Sequence, residues 1–299
     1  MVIERLDRER TLAFVTFCRT HRAHVDDSFL YEEDLRDFDP GGENPTYLAV
    51  DDQGHIVGAA SVMNSAYFRR GRKGRLRIFH VENADLAVYA ELLDRAAQAS
   101  VGLDQLYVFV PAGNTMMEEI LHALRFRVER SACVMVRDPA PVEEPVWGDG
   151  YSLRTMVFNQ DENDYCHVRN LGFAQLKGSE TAMTPDEVSR LQDSDGHIPS
   201  GILLLYHQGE AVGVVRASTD DYEGKAVVSI GPLALVPSHQ GRGLGRQLLR
   251  AALSIGRSEG LSTAVLSANT DNDQALSLYT SEGFRTAESV VCHAYRILR

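Results

Sequence analysis

The chain repeats one succession of residues at a nearly constant spacing. Asn114 recurs as Asn272, Phe126 as Phe284 and the pair Gly102-Leu103 as Gly260-Leu261, all at an offset of 158 residues. Earlier in each half, two strand-like runs flank a turn, and the turn glycine and a later glycine match at an offset of 155. The runs are Tyr47-Leu48-Ala49-Val50 with Gly54-His55-Ile56-Val57-Gly58, and Leu203-Leu204-Leu205-Tyr206 with Gly209-Glu210-Ala211-Val212-Gly213. Solenoid units recur every roughly 20–50 residues. A unit this much longer is a domain, so the 299 residues read as one fold written twice. The run Asp138-Pro139-Ala140-Pro141-Val142-Glu143-Glu144-Pro145 separates the copies; its prolines fix φ and remove donors, as in a linker. The expected division is 1–137, a linker at 138–147, and 148–299.

Composition narrows the class. Apolar residues at 44% and charged residues at 24% describe an ordinary globular chain. No apolar run exceeds five residues, as in Ile202-Leu203-Leu204-Leu205-Tyr206, far below the roughly 20 that span a bilayer, so no membrane partner is expected. Met1-Val2-Ile3-Glu4-Arg5 reads as a first strand and not a leader. Four scattered cysteines suggest reduced thiols, a cytoplasmic setting and no metal site. Cys133 and Cys292, near the closing strand of each copy, read as buried packing groups rather than nucleophiles. A net charge of −12 argues against nucleic acid and slightly favours a cationic small molecule. The one basic run, Arg69-Arg70-Gly71-Arg72-Lys73-Gly74-Arg75, reads as a solvated hairpin tip.

In the second half the periodicities predict a strand at 151–156 and a helix at 161–176. Thr184, Pro185 and Glu187 then form a capping box. Two hairpin strands lead to a long strand at 226–236, which Gly231-Pro232 should force away from a neighbour. Leu244, Leu248, Leu249, Ala252 and Ile255 carry helical spacing over 244–259. A strand at 264–266, a helix at 272–281 and a closing strand at 290–298 complete the half. Such an order gives an α/β (α+β) chain of two tandem domains, each a mixed, mostly antiparallel sheet with helices on both faces.

The most informative segment is Leu233-Ala234-Leu235-Val236-Pro237-Ser238-His239-Gln240-Gly241-Arg242-Gly243-Leu244-Gly245. It runs from strand through a glycine-rich turn into a helix, whose first N–H groups lack internal partners and favour a phosphate. A Walker loop would need Lys-Ser/Thr after Gly245, and a dinucleotide fingerprint a third glycine; Arg246 fails both. The segment resembles the GNAT superfamily of N-acetyltransferases, whose motif Gln/Arg-x-x-Gly-x-Gly/Ala is filled by Gln240, Gly243 and Gly245. A second motif of that family follows as Asn272-x-x-Ala275-x-x-Leu278-Tyr279-x-x-x-Gly283-Phe284.

The resemblance implies acetyl-CoA as cosubstrate. Its pyrophosphate would lie on the loop amides of Gln240, Gly241, Arg242, Gly243, Leu244 and Gly245, with the pantetheine along Leu233, Ala234 and Leu235. Asn272 would face the pantetheine and Ala275 would keep the helix close to it. An N–H near Leu235 would polarise the thioester carbonyl, and Tyr279 would protonate the departing thiolate as general acid. Residues 227–230 offer no carboxylate, so the general base stays open among His239, Asp220, Asp221, Glu223 and solvent. In the first half Glu82, Asp85 and Ala87 stand opposite the motif, and Leu121 and Arg125 opposite Tyr279 and Gly283. That half is expected to keep the fold and to have lost the cofactor. Tandem members of the family often pair an active half with a degenerate one. The resulting expectation is acetyl transfer to a primary amine, a small molecule or a protein N-terminus, in a ternary complex. The chain would be a monomer (a pseudo-dimer of domains) or a homodimer. The alternative is a non-catalytic acyl-CoA-binding sensor or interaction module.

Overall fold

A computed structural model of the chain describes residues 1–22, 35 and 38–297. The chain separates into two compact units. The first comprises Met1–Ser131 and Val290–Arg299, the second Ala132–Ser289. These are not the continuous halves, 1–137 and 148–299, expected from the proline-rich stretch.

In the first unit, strands β1 (Val2–Arg5), β2 (Thr46–Val50), β3 (Ile56–Met63) and β4 (Lys73–Val81) pair antiparallel in sequence order. Helix α1 (Thr11–Thr20) follows β1, α2 (Ala66–Gly71) precedes β4 and α3 (Leu86–Ala99) follows it. Strand β5 (Gln105–Pro111) runs parallel to β4 but pairs with it only from Lys73 to Arg75, and α4 (Thr115–Ala123) comes next. The second unit repeats the plan with β7 (Tyr151–Thr155), β8 (His197–His207), β9 (Glu210–Tyr222), β10 (Lys225–Leu235) and β11 (Ala264–Asn269). Its helices are α5 (Glu162–Phe173), α6 (Pro185–Ser189), α7 (Leu244–Ser258) and α8 (Asp273–Ser281).

The closing strands are exchanged. Strand β6 (Arg127–Arg137) leaves the first unit and pairs from Ala132 to Arg137 with β11 of the second. Strand β12 (Arg285–Arg296) returns, and Val290 to Arg296 pair with β5 of the first. Cys133 and Met135 thereby enter the second core, and Tyr295 packs on the first. As copies of one element, β6 and β12 present matching patterns to either sheet, so local sequence names neither partner. Strand β12 begins at Arg285, five residues before the expected 290, and the expected end at Leu298 lies outside the described residues.

Residues 138–147 form neither helix nor strand, but they are no free linker. Arg137 donates to the carbonyls of Ala140 and Pro141, Glu143 pairs with Arg250 at 2.6 Å, and the Val146 N–H donates to Gln247 at 2.8 Å. The stretch is a strap laid over the second unit. The basic run is no hairpin tip either. Residues 66–71 are helical, Arg72 turns the chain at φ 54° and pairs bidentately with Asp104, and Lys73 opens a strand. Arg75 is buried, its guanidinium 4.4 Å above the Phe109 ring. The apolar spacing of β4 continues through these cations, which the charge run conceals.

In the second unit α7 buries Leu244, Leu248, Leu249 and Ala252 against the sheet, as its spacing predicts. At about 2 kcal/mol for each buried leucine, this face alone fixes the helix against β9 and β10. Helix α5 covers the opposite face and ends at Phe173 rather than 176. A Cβ on its Gly172 would lie 2.9 Å from the Leu235 carbonyl oxygen, so only glycine lets α5 approach β10 this closely.

Candidate active site

The site begins where β10 leaves β11. The two strands pair only at Val228–Ala264 and Ser229–Val265, and then diverge, leaving a V-shaped gap. The register against β9 shifts between Ile230 and Leu233, a bulge at Gly231-Pro232 as the sequence predicts. The Val236 N–H donates to the Val212 carbonyl on β9 at 3.0 Å. Ladder alternation therefore turns Ala234 toward β9 and the N–H and C=O groups of Leu233 and Leu235 toward the gap. Those groups lack a strand partner on that side. One of them, the Leu235 carbonyl, accepts from the Gln240 side-chain amide at 3.0 Å. Gln240 thus braces the turn onto the strand, a role the motif alone does not reveal.

Beyond Gln240 the chain enters α7 through Gly243 at φ 78°, a left-handed conformation that favours glycine. The backbone N–H groups of Gly241, Arg242, Gly243, Leu244 and Gly245 have no hydrogen-bond acceptor among the described residues. No side chain caps α7. Five consecutive free donors at the positive end of a 15-residue helix form a cradle for an anion. The first unit closes the same place. Asp85 caps α3 by accepting from the Ala87 N–H at 2.9 Å, the Ala84 N–H reaches the Val81 carbonyl, and Glu82 lies 3.0 Å from His21. Its helix terminus carries its own carboxylate.

Helix α8 supplies the second group of predicted residues. Asn272 caps it, accepting from the Ala275 N–H at 3.1 Å, as Asn114 caps α4 by accepting from Met117 at 3.2 Å. The repeated asparagine therefore starts a helix in both units, and its acceptor oxygen is already engaged. Phe126 and Phe284 are both buried, and their N–H groups donate to the carbonyls of Leu121 and Tyr279. Before each phenylalanine the backbone is left-handed, at Gly283 (φ 90°) and, unusually, at Arg125 (φ 68°). Leu121 is fully buried where Tyr279 is half-buried. The Tyr279 hydroxyl has no hydrogen-bond partner among the described residues, and burial pushes its pKa up to about 12. Near Gly245, the side chains of Leu278, Leu233 and Leu235 converge, which brings α8, α7 and the gap-lining strand together.

The candidates for a general base do not gather there. Asp221 accepts from the Gly224 N–H and Glu223 holds φ 53° at the tip, so both shape the β9–β10 turn. Asp220 accepts from the Asp221 N–H. His239 lies 3.4 Å from His207, and burial, Arg242 and His207 together lower its pKa. The α5 face of the sheet carries residues that the motifs do not mark. His197, Ser218 and Ser229 stand in register across β8, β9 and β10, all partly exposed. Arg216 lies two residues from Ser218 on the same face. Its signal is one cation in the otherwise apolar alternation Val214-Val215-Arg216-Ala217. Among the described residues no cluster of acidic, histidine or cysteine side chains could hold a metal ion. No helix there is long and apolar enough to cross a membrane.

Comparison with known proteins agrees with this geometry. Residues 170–284 match the acetyltransferase (GNAT) family. The chain is 32% identical over 153 residues to a mycothiol acetyltransferase of Amycolatopsis mediterranei, covering 50% of each protein. It is 27% identical over 203 residues to that of Streptomyces avermitilis, covering 67% of this chain and 65% of the other. The matched stretches thus span half to about two thirds of these relatives. Among solved structures, a GCN5-related N-acetyltransferase from Sphaerobacter thermophilus superposes with TM-score 0.74 at 19% identity, over 100% of this chain and 96% of that one. A tandem GNAT protein from the clavulanic acid biosynthesis pathway gives 0.67 at 15%, over 100% and 99%. At these identities the structures speak for the fold.

Proposed function

We propose that this chain, a tandem GNAT-fold protein whose residues 170–284 match the acetyltransferase (GNAT) family, transfers an acetyl group from acetyl-CoA to a primary amine, with the chemistry in the second unit. The observation that carries the proposal is the row of five unpartnered N–H groups at 241–245 beside the gap between β10 and β11. The row suits a pyrophosphate, and the gap suits an extended arm able to pair with the free N–H and C=O of Leu233 and the free N–H of Leu235. Acetyl-CoA supplies the activated thioester; everything else falls to the chain. The Leu235 N–H is aimed at the gap, where a donor to a developing oxyanion gains most in the absence of water. Tyr279, with its pKa near 12, stays protonated across the physiological range and can give its proton to a thiolate. Gln240 and the Asn272 cap hold the loop and α8 in place.

Direct attack by the amine needs no covalent enzyme intermediate, and the buried thiols fit that economy. Burial pushes the Cys133 and Cys166 thiols up, so neither is a ready thiolate. The acceptor is a small-molecule amine, a reading in keeping with acetyltransferases as relatives. One observation favours a second reading, a CoA-binding sensor or interaction module: Val227, Val228, Ser229 and Ile230 offer no carboxylate to act as base. Thiol release from acetyl-CoA in the presence of an amine library separates the two. Amine-dependent release supports the transferase, and tight CoA binding without release supports the sensor.

A further inference from the structure

The sheet face under α5 carries one cation without an anion. On β9, Val214 pairs with Ala234, the residue that Gly172 of α5 approaches, and Arg216 projects from the same face two residues on. Arg216 stands opposite the bulge between Ile230 and Leu233, where β10 has just parted from β11. Its guanidinium is half-buried. One nitrogen, Nη2, donates to the Ser194 hydroxyl at 2.8 Å, while Nε is buried and has no hydrogen-bond partner. Among the described residues no carboxylate pairs with it. Tyr165 and His197 stand close enough to interact with its charge, and neither is an anion at neutral pH. Two other guanidiniums of this unit, by contrast, meet carboxylates. Arg154 grips Asp161 with two hydrogen bonds, and Arg250 grips Glu282 in the same way.

A guanidinium withdrawn from water without a counter-charge is destabilising, and a serine hydroxyl does not offset it. The planar fork is shaped for a carboxylate, and Arg216 stands in register with the bulge at which β10 leaves β11. We propose that Arg216 binds a carboxylate of the acceptor, so that the amine to be acetylated belongs to the amino-acid class. This rests on the transferase reading and deepens it. The overall charge of −12 favours cationic molecules at long range, whereas the contact surface here selects for a local anion. A molecule such as lysine satisfies both.

The test uses the full chain, saturating acetyl-CoA and thiol release with matched amines: L-alanine, L-alaninamide and ethylamine, then L-lysine, L-lysinamide and cadaverine. Each acid is expected to exceed its amide and its decarboxylated counterpart at least tenfold in kcat/KM. Arg216→Met should raise KM for the acids at least tenfold, abolish the preference and leave CoA affinity unchanged. Because it removes an unmatched buried charge, it should also melt no lower than the parent. Arg216→Lys, which keeps the charge, should restore part of the preference. Equal use of acid and amine by the parent overturns the assignment, as does a preference that survives in Arg216→Met. A melting temperature several degrees lower in both variants, with KM unmoved, assigns Arg216 to structure and also overturns it. If no amine releases thiol although CoA binds, the transferase reading itself falls, and the acceptor with it.

Discussion

Two glycines at the start of α7 should respond oppositely to the same methyl group. Gly243 holds φ 78°, and a Cβ there would meet nothing within 4 Å. Alanine at this position therefore gains no packing and bears the full cost of the left-handed conformation, about 1–2 kcal/mol. If the loop keeps its shape, that cost is lost from folding stability. If it relaxes, ligand binding must restore the shape, and the same energy weakens affinity about 5–30-fold. Gly245 lies inside the helix without a positive φ, and its Cβ would make ordinary contact with Leu278 at 3.5 Å. Alanine there should stabilise the protein by about 0.5–1 kcal/mol and leave affinity within about threefold. Thermal melting and calorimetric titration with CoA read both effects. If Gly243→Ala binds CoA as the parent does and melts at the same temperature, the cradle is misplaced. Equal damage from both substitutions would mean that bulk rather than backbone conformation matters, and would refute the reasoning.

Three further outcomes follow. Tyr279→Phe breaks no hydrogen bond among the described residues, so melting and CoA affinity should hold while turnover falls about 10²–10⁴-fold; undiminished turnover removes the tyrosine from the chemistry. Because its pKa lies near 12, Tyr279 should cause no loss of turnover between pH 7 and 10, whereas a tyrosine-dependent alkaline limb near pH 9 contradicts the assignment. Burial lowers the pKa of His197, His239 and His293, so the unfolded chain takes up protons first as pH falls through about 6.5. Stability should therefore drop between pH 7 and pH 5, and a melting temperature that rises over this interval would reverse the sign of the argument.

Much of the second unit was legible because its signals are local. The capping box is present, with Glu187 accepting from the Thr184 N–H at 3.0 Å, and the bulge stands at Gly231-Pro232. The leucine spacing of α7 points to the buried face that forms. What sequence missed is non-local. Strands β6 and β12 carry equivalent patterns, and which sheet each joins depends on partners more than 100 residues away. Gln240 was read for its backbone, yet its side chain ties the loop to Leu235, a contact across a turn that no periodicity encodes. Arg216 escaped because an isolated arginine in a strand ordinarily faces water; only the fold shows that its Nε is buried without a partner. The basic run failed for the opposite reason. Charge density suggested solvent throughout; Arg69, Arg70 and Arg72 are exposed, but Lys73 pairs with Glu129 and Arg75 is buried over the Phe109 ring, both partners distant in sequence.

The central claim is one fold built twice with a single CoA site. It rests on five free N–H groups in the second unit, set against a capped, carboxylate-bearing helix terminus in the first. Because the units exchange their closing strands, neither half can be excised as a fair test, and the full chain must be titrated. Calorimetry with acetyl-CoA should give one molecule bound per chain in the parent, and in Gly243→Ala a single site that is either weaker or, at parental affinity, carried by a chain of lower melting temperature. Two sites per chain, or a single site of parental affinity in a variant that melts as the parent does, would contradict the account.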